Sequence, residues 1–284
     1  MIKISDMKIN KLIIRVLFFT GILFTHYSNA QTITKTVGGL NANYATLKLA
    51  FDAINAGTIR GTIVLQITGN TTETASATLN SSGTGSSSFT SVTIYPTGSG
   101  YSISGNIGGA LISINGADYV TIDGSVNQSG ASKDLTITNT NTGSNVTTIR
   151  FLNSAENNVV KYCNLKGSES STGSAIVLFT SSAAGNGNDN NLIENNNITA
   201  DAAARPCNAI YSTGSTGREN SSNIISNNNI YDFFNPNNNS TGILIGSNSD
   251  NWTISGNSFY ETTTIVPSVV LIIQEFMLVQ VLTI

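Results

Sequence analysis

The chain has 284 residues, of which 10% are charged and 39% hydrophobic, with 26 glycines, a formal net charge of −3 and a pI near 5.1. This balance offers no basic field, which excludes nucleic acid as a partner and leaves electrostatic adhesion to a membrane nothing to work with. Abundant Asn, Ser and Thr stand where Lys and Glu usually dominate a surface, so the exterior is polar without being charged, and an elongated solenoid suits that composition better than a globule.

Residues 1–30 read as a signal peptide. Lys3, Lys8, Lys11 and Arg15 precede and punctuate the apolar run Leu12 to Phe24, which is short for a bilayer span, and Ser28-Asn29-Ala30 supplies small residues at −3 and −1. The mature chain is expected to begin at Gln31, secreted or at the cell surface, with no stable membrane span; a retained N-terminal anchor is the alternative. His26, the only histidine, leaves with this segment, so Ser–His and Cys–His nucleophilic sites and histidine-based metal centres are excluded.

Residues 31–61 are expected to hold an N-terminal strand and a capping helix. Tyr44, Leu47, Phe51 and Ile54 fall on one helical stripe, with Asn43 as N-cap and Gly57 past the C-terminus. Such a helix would cover the first coil of a stack and protect its unpaired edge. The first coil is expected to contain Thr62–Ile67 and Val92–Tyr95, joined by a Ser/Gly loop from Asn80 to Ser88. Ala110–Ile114, Tyr119–Ile122 and Leu135–Ile137 are further short strands between Asn, Gly and Ser turns.

From residue 160 the pattern repeats. Val160-Lys-Tyr-Cys163-Asn-Leu165, Ile193-Glu-Asn-Asn196-Asn-Ile198, Ile225-Ser-Asn-Asn228-Asn-Ile230 and Ile254-Ser-Gly-Asn257-Ser-Phe259 share the form apolar-x-x-Asn-x-apolar, with Cys163 in place of the first Asn. Their spacings of 33, 32 and 29 residues mark one coil each. Ser174–Phe179, Asn208–Tyr211 and Thr241–Gly246 supply a second strand per coil, giving a strand, turn, strand, loop cycle. A single coil cannot bury its own apolar face, so Val160, Ile193, Ile225 and Ile254 are expected to stack in a common interior. Cys163, Asn196, Asn228 and Asn257 are expected to form a ladder at a sharp turn, where Asn adopts a left-handed backbone and its amide satisfies groups left unpaired by the bend.

With the Tyr-x-x-Leu helix, Gly-Thr-Ile-Val-Leu-Gln-Ile, Tyr-Val-Thr-Ile-Asp-Gly and the Asn-bearing repeats, the chain resembles right-handed parallel β-helix proteins of the pectin-lyase-like kind over about residues 36–265. In particular it resembles the long surface proteins that gliding Gram-negative bacteria export by the type IX pathway, whose C-terminal sorting domain is not expected within this sequence. The resemblance implies an all-β, right-handed, single-stranded parallel β-helix over residues 62–265. It also implies a secreted structural or adhesive surface module, with extracellular polysaccharide or other surface proteins as partners.

Residues 266–284 form an anomalous apolar tail: Val269 to Ile284 holds no Gly, Asn or Ser. The expectation is a frameshift near Ser268 in a longer β-helix gene, with a membrane anchor as the alternative. Cys163 and Cys207 are the only cysteines; export permits a bridge between them, and two buried thiols fit equally.

A polysaccharide lyase or glycoside hydrolase is the alternative function, and a glycan-binding repeat a third. A glycosidase needs two carboxylates facing one sugar bond, but Asp118, Asp123, Asp189, Asp201, Asp232 and Asp250 mostly sit beside Asn or Gly as turn residues. Arg150 and Lys161, basic residues of the central coils, lie in no lyase-like motif. No catalytic residue and no cofactor is therefore assigned, apart from a candidate oxygen-lined Ca²⁺ loop at Gly185–Asn191 with its one carboxylate, Asp189. Tyr231, Phe233, Phe234 and Trp252 are candidate glycan-stacking residues.

Overall fold

A computed structural model describes residues 32–201 and 204–264, and the backbone of 273–278. The expected signal peptide and its cleavage site lie outside the described residues, as does most of the apolar tail. The described chain is a parallel β-solenoid of about seven turns. Each turn contributes a strand to each of three sheets rather than the two strands expected from sequence. The first sheet stacks Thr32–Val37, Gly61–Ile67, Phe89–Pro96, Val120–Asp123, Val159–Lys161, Leu192–Glu194, Ile224–Ser226 and Thr253–Ser255 in that order. The second stacks Thr71–Glu73, Tyr101–Gly105, Leu135–Asn139, Cys163–Gly167, Asn197–Ala200, Asn229–Tyr231 and Ser258–Tyr260. The third runs through Ala77–Asn80, Ala110–Asn115, Thr147–Leu152, Val177–Phe179, Asn208–Ser212, Ser240–Ile245 and Ile273–Leu278.

The alternation of the strands sets which side chains enter the stack. In Gly61–Ile67, for example, Ile63, Leu65 and Ile67 are fully buried while Thr62, Val64 and Gln66 face outward. In-register pairing places Val160, Ile193, Ile225 and Ile254 above one another. Strands a little under 5 Å apart also stack their aromatic residues: the rings of Phe151 and Phe179 lie 4.6 Å apart and nearly parallel.

The structure departs from the sequence-based expectations in several places. Thr62–Ile67 and Val92–Tyr95 are not two strands of one coil but successive rungs of the first sheet, with Ile63 opposite Val92 and Leu65 opposite Ile94. Between them run Thr71–Glu73 and Ala77–Asn80, strands of three and four residues, too short to produce a period-two signal. Within Ser174–Phe179 only Val177–Phe179 is strand, and the whole segment is buried. Ile273–Leu278, within the tail, pairs in parallel with Ser240–Ile245. An unpaired sheet edge accepts any extended segment through its backbone, whatever the side-chain pattern.

Among the described residues the only α-helix is Leu47–Asn55, which buries Leu47, Ala50, Phe51 and Ile54. Its N-cap is Thr46, whose hydroxyl accepts from Leu49 N–H at 3.3 Å, and not Asn43, which instead bonds to Thr36. The buried carboxylate of Glu73 accepts from the N–H groups of Leu47 and Lys48 at 2.9 and 3.0 Å, which neutralises the free donors of the first helical turn. At the other end, the Asn55 amide donates to Thr78 O at 2.8 Å and accepts from Asn80 N–H at 3.0 Å. The helix is thereby fixed to the first strands of the second and third sheets.

Candidate functional site

The repeated motif turns the chain from the first sheet into the second, and its positions have distinct tasks. The left-handed residue is not the ladder Asn but the one before it: Tyr162, Asn195, Asn227 and Gly256 have φ between 53° and 66°. This bend directs the next side chain inward. Cys163 N–H and Asn196 N–H donate to the Oδ1 atoms of Asn196 and Asn228, and Asn228 N–H to that of Asn257, each at 2.9 Å. The Nδ2 groups of Asn196 and Asn228 also bond the next Asn Oδ1 at 3.1 and 3.0 Å. Those of Asn196, Asn228 and Asn257 donate back to the carbonyls of Val160, Ile193 and Ile225, each at 2.9 Å. Each amide thus satisfies backbone groups of its neighbouring coils that would otherwise be buried without partners.

Two further internal columns were missed in the sequence reading. Asn158, Asn191 and Asn223 repeat the same bonding, with amide-to-amide distances of 2.9 and 3.0 Å, and Asn188 bonds Asn220 at 2.8 Å. A partly exposed column joins Asn164, Asn197 and Asn229 on the outer face of the second sheet. The first of these had a readable signal, because Asn158, Asn191 and Asn223 each stand two residues before the inward Val160, Ile193 and Ile225.

The four aromatic candidates do not form one strip. Phe233 and Phe234 are only 3% and 8% exposed, which removes them from contact with a sugar. Trp252 packs edge-on against Phe179 and donates from Nε1 to Asn220 O at 2.8 Å. Tyr231 is left on the outer face of the second sheet, stacked on Tyr260 with ring centres 5.0 Å apart. Cys163 and Cys207 are both free and buried, so the permitted bridge is not formed. Burial, with the charge of Asp123 added, pushes the Cys163 thiol far up, and its Sγ is engaged with Lys161 O at 3.3 Å. It is an inert thiol.

An open cleft of about 230 Å³ lies against the Gly185–Asn191 loop, lined by Asn186, Asp189, Arg218, Glu219 and Asp250 among others. Burial raises the Asp189 carboxyl above its ordinary value, and the carboxylates of Glu156, Asp250 and Glu219 raise it further, against the bond from Ser221 N–H at 2.8 Å. The cleft gathers carboxylates from different coils around one loop. No set of three or more His, Cys, Asp or Glu in metal-binding arrangement occurs among the described residues. Asp118 is likewise raised by burial, and it accepts from Glu156 N–H at 2.8 Å. Asp232 instead belongs to an ion-pair cluster with Arg205, which also bonds Glu261.

No protein-family model matches this chain, and no curated protein matches it. No helix among the described residues is long and apolar enough to cross a membrane.

Glu169 is fully buried with Ser168 beside it, and neither carboxylate oxygen nor the Ser168 hydroxyl has a hydrogen-bond partner. Burial pushes the carboxyl well above its ordinary range; the N–H of the same residue counteracts this in part without making a well-formed bond to either oxygen. Burial and the Glu169 carboxylate together push the Cys207 thiol up to about 11. A carboxyl whose folded pKa is raised holds its proton where the unfolded chain has lost it. Its stabilising contribution is therefore complete below about pH 4.5 and declines as pH rises toward the folded value. Thermal melts across pH 5–9 are expected to show stability falling with pH in the wild type. Glu169→Gln should flatten that fall and melt higher at pH 8, and parallel curves for the two proteins would contradict the assignment.

Proposed function

We propose that the chain is a secreted surface module, structural or adhesive, in which stacked coils supply length and a polar, uncharged exterior. The observation that carries this reading is the set of internal Asn columns, which lock successive coils together beneath outward faces of Thr, Ser and Asn such as Thr93, Thr121, Ser102, Ser104, Asn164 and Asn197. Export rests on the pattern of residues 1–30 and on a polar, weakly charged composition. Partners in this reading are extracellular polysaccharide or other surface proteins.

The test combines N-terminal sequencing with a polysaccharide panel. Protein recovered from the cell exterior should begin at Gln31, and incubation with the panel should release neither reducing ends nor unsaturated products. Retention on a polysaccharide without turnover selects adhesion; turnover overturns the reading, as does a purely intracellular, uncleaved chain. Glycoside hydrolysis is the second reading, favoured by the Asp189 carboxyl raised among other carboxylates in an open cleft. In that case Asp189→Asn should abolish turnover.

A further inference from the structure

The outer face of the third sheet carries a charge with no ion-pair partner among the described residues. In Thr147–Leu152 the side chains of Ile149 and Phe151 are buried in the core, and Arg150 between them points outward. Its Nη2 donates to Ser113 Oγ at 3.3 Å, its buried Nε has no acceptor, and among the described residues no carboxylate lies within ion-pair distance. The strands from Ala77–Asn80 to Ser240–Ile245 contain no Asp or Glu, and Glu275 of Ile273–Leu278 stands four strands away from Arg150. Burial lowers the pKa of the guanidinium, a sign that its charge is partly stripped of water without compensation. Arg205, by contrast, is held between Asp232 and Glu261.

Pairing extends this position into a column across the sheet: Ser113, Arg150, Leu178, Tyr211 and Leu244. Leu178 is covered, and Tyr211 and Leu244 are half-buried, so these two form the apolar part that the column presents. At a strand spacing of roughly 4.8 Å, the apolar part reaches about 14 Å from the guanidinium. A ligand lying here must bring an oxyanion to Arg150 and apolar groups to the rest. A sugar chain would leave hydroxyls against Leu244 without partners, whereas an extended peptide supplies both chemistries on one face.

We propose that this face docks an extended acidic peptide segment of a partner protein, with a Glu or Asp carboxylate on the Arg150 guanidinium and apolar side chains along Tyr211 and Leu244. The guanidinium fork then gains the paired acceptors that the solenoid withholds.

The test uses the mature chain and a labelled random copolymer of glutamate and tyrosine, read by fluorescence anisotropy, with polygalacturonate as a parallel arm. The copolymer is expected to bind, more weakly as salt rises, and Arg150→Gln to lose at least about tenfold in affinity. Arg150→Lys restores part of it, lacking the planar fork, and Leu244→Ser weakens binding without removing its salt dependence. Because Arg150 has no ion-pair partner among the described residues, Arg150→Gln should melt no lower than the wild type. The proposal is overturned if the copolymer does not bind the wild type, or if Arg150→Gln binds it equally well. It also fails if that variant melts far below the wild type, which would make Arg150 structural, or if polygalacturonate binds through Arg150 and the copolymer does not.

Discussion

Asn196→Leu is expected to destabilise the solenoid by about 3 kcal/mol, although leucine is the more apolar residue. The substitution takes the acceptor from Cys163 N–H and the donor from Val160 O, both in the preceding coil, and it breaks the amide bond to Asn228. Leaving each buried backbone group without a partner costs about 1–3 kcal/mol. Burying the leucine returns about 2 kcal/mol at most, since the column is already tightly filled. In a chain of this size the melting midpoint should fall on the order of 10 °C. Hydrogen exchange gives a sharper reading: the Cys163 amide should exchange faster in the variant, and the damage should spread to the coils that begin at Val160 and Ile225. An unchanged melt would show that the columns fill space without bonding the coils together.

Gly187→Ala is expected to cost about as much, by a different route. Gly187 has no left-handed backbone to strain, but a Cβ there would stand 1.8 Å from Glu219 O and 2.5 Å from Glu219 C, both backbone atoms of the next coil. No side-chain rotation relieves such a contact, so the two coils must separate or the loop must shift, at about 3 kcal/mol. Gly108→Ala is the matched control. Its Cβ would meet nothing within 4 Å and its backbone is ordinary, so a change within about 0.5 kcal/mol is expected. Comparable losses in both variants would mean that glycine content as such, rather than close approach of the coils, accounts for the sensitivity. Because Gly187 lines the Asp189 cleft, its variant should also bring the Asp189 carboxyl closer to its ordinary value as water enters.

Half of the ladder arrangement was legible in the repeat itself. The spacing of Asn196, Asn228 and Asn257 behind Ile193, Ile225 and Ile254 identified a coil period and an inward Asn, since only a stacked architecture returns the same polar residue to the same place among apolar ones. The neighbouring Asn195 and Asn227 carry the identical letter, and nothing in the residue type says which of two adjacent asparagines bends the backbone and which enters the core. The wall of neighbouring coils decides that, because an Asn side chain turned inward is stable only where another coil offers it acceptors and donors.

The sequence by itself therefore determined the solenoid class, the coil period and the apolar rungs, because these depend on local alternation, spacing and composition. The tertiary structure alone decided the number of sheets. It also decided the burial of Phe233 and Phe234, the lack of hydrogen-bond partners at the Glu169 carboxyl and Arg150 Nε, and the free state of Cys163 and Cys207. Each of these depends on what lies one coil away, about thirty residues distant in sequence but under 5 Å distant in space, where strand register and not residue type assigns the partner.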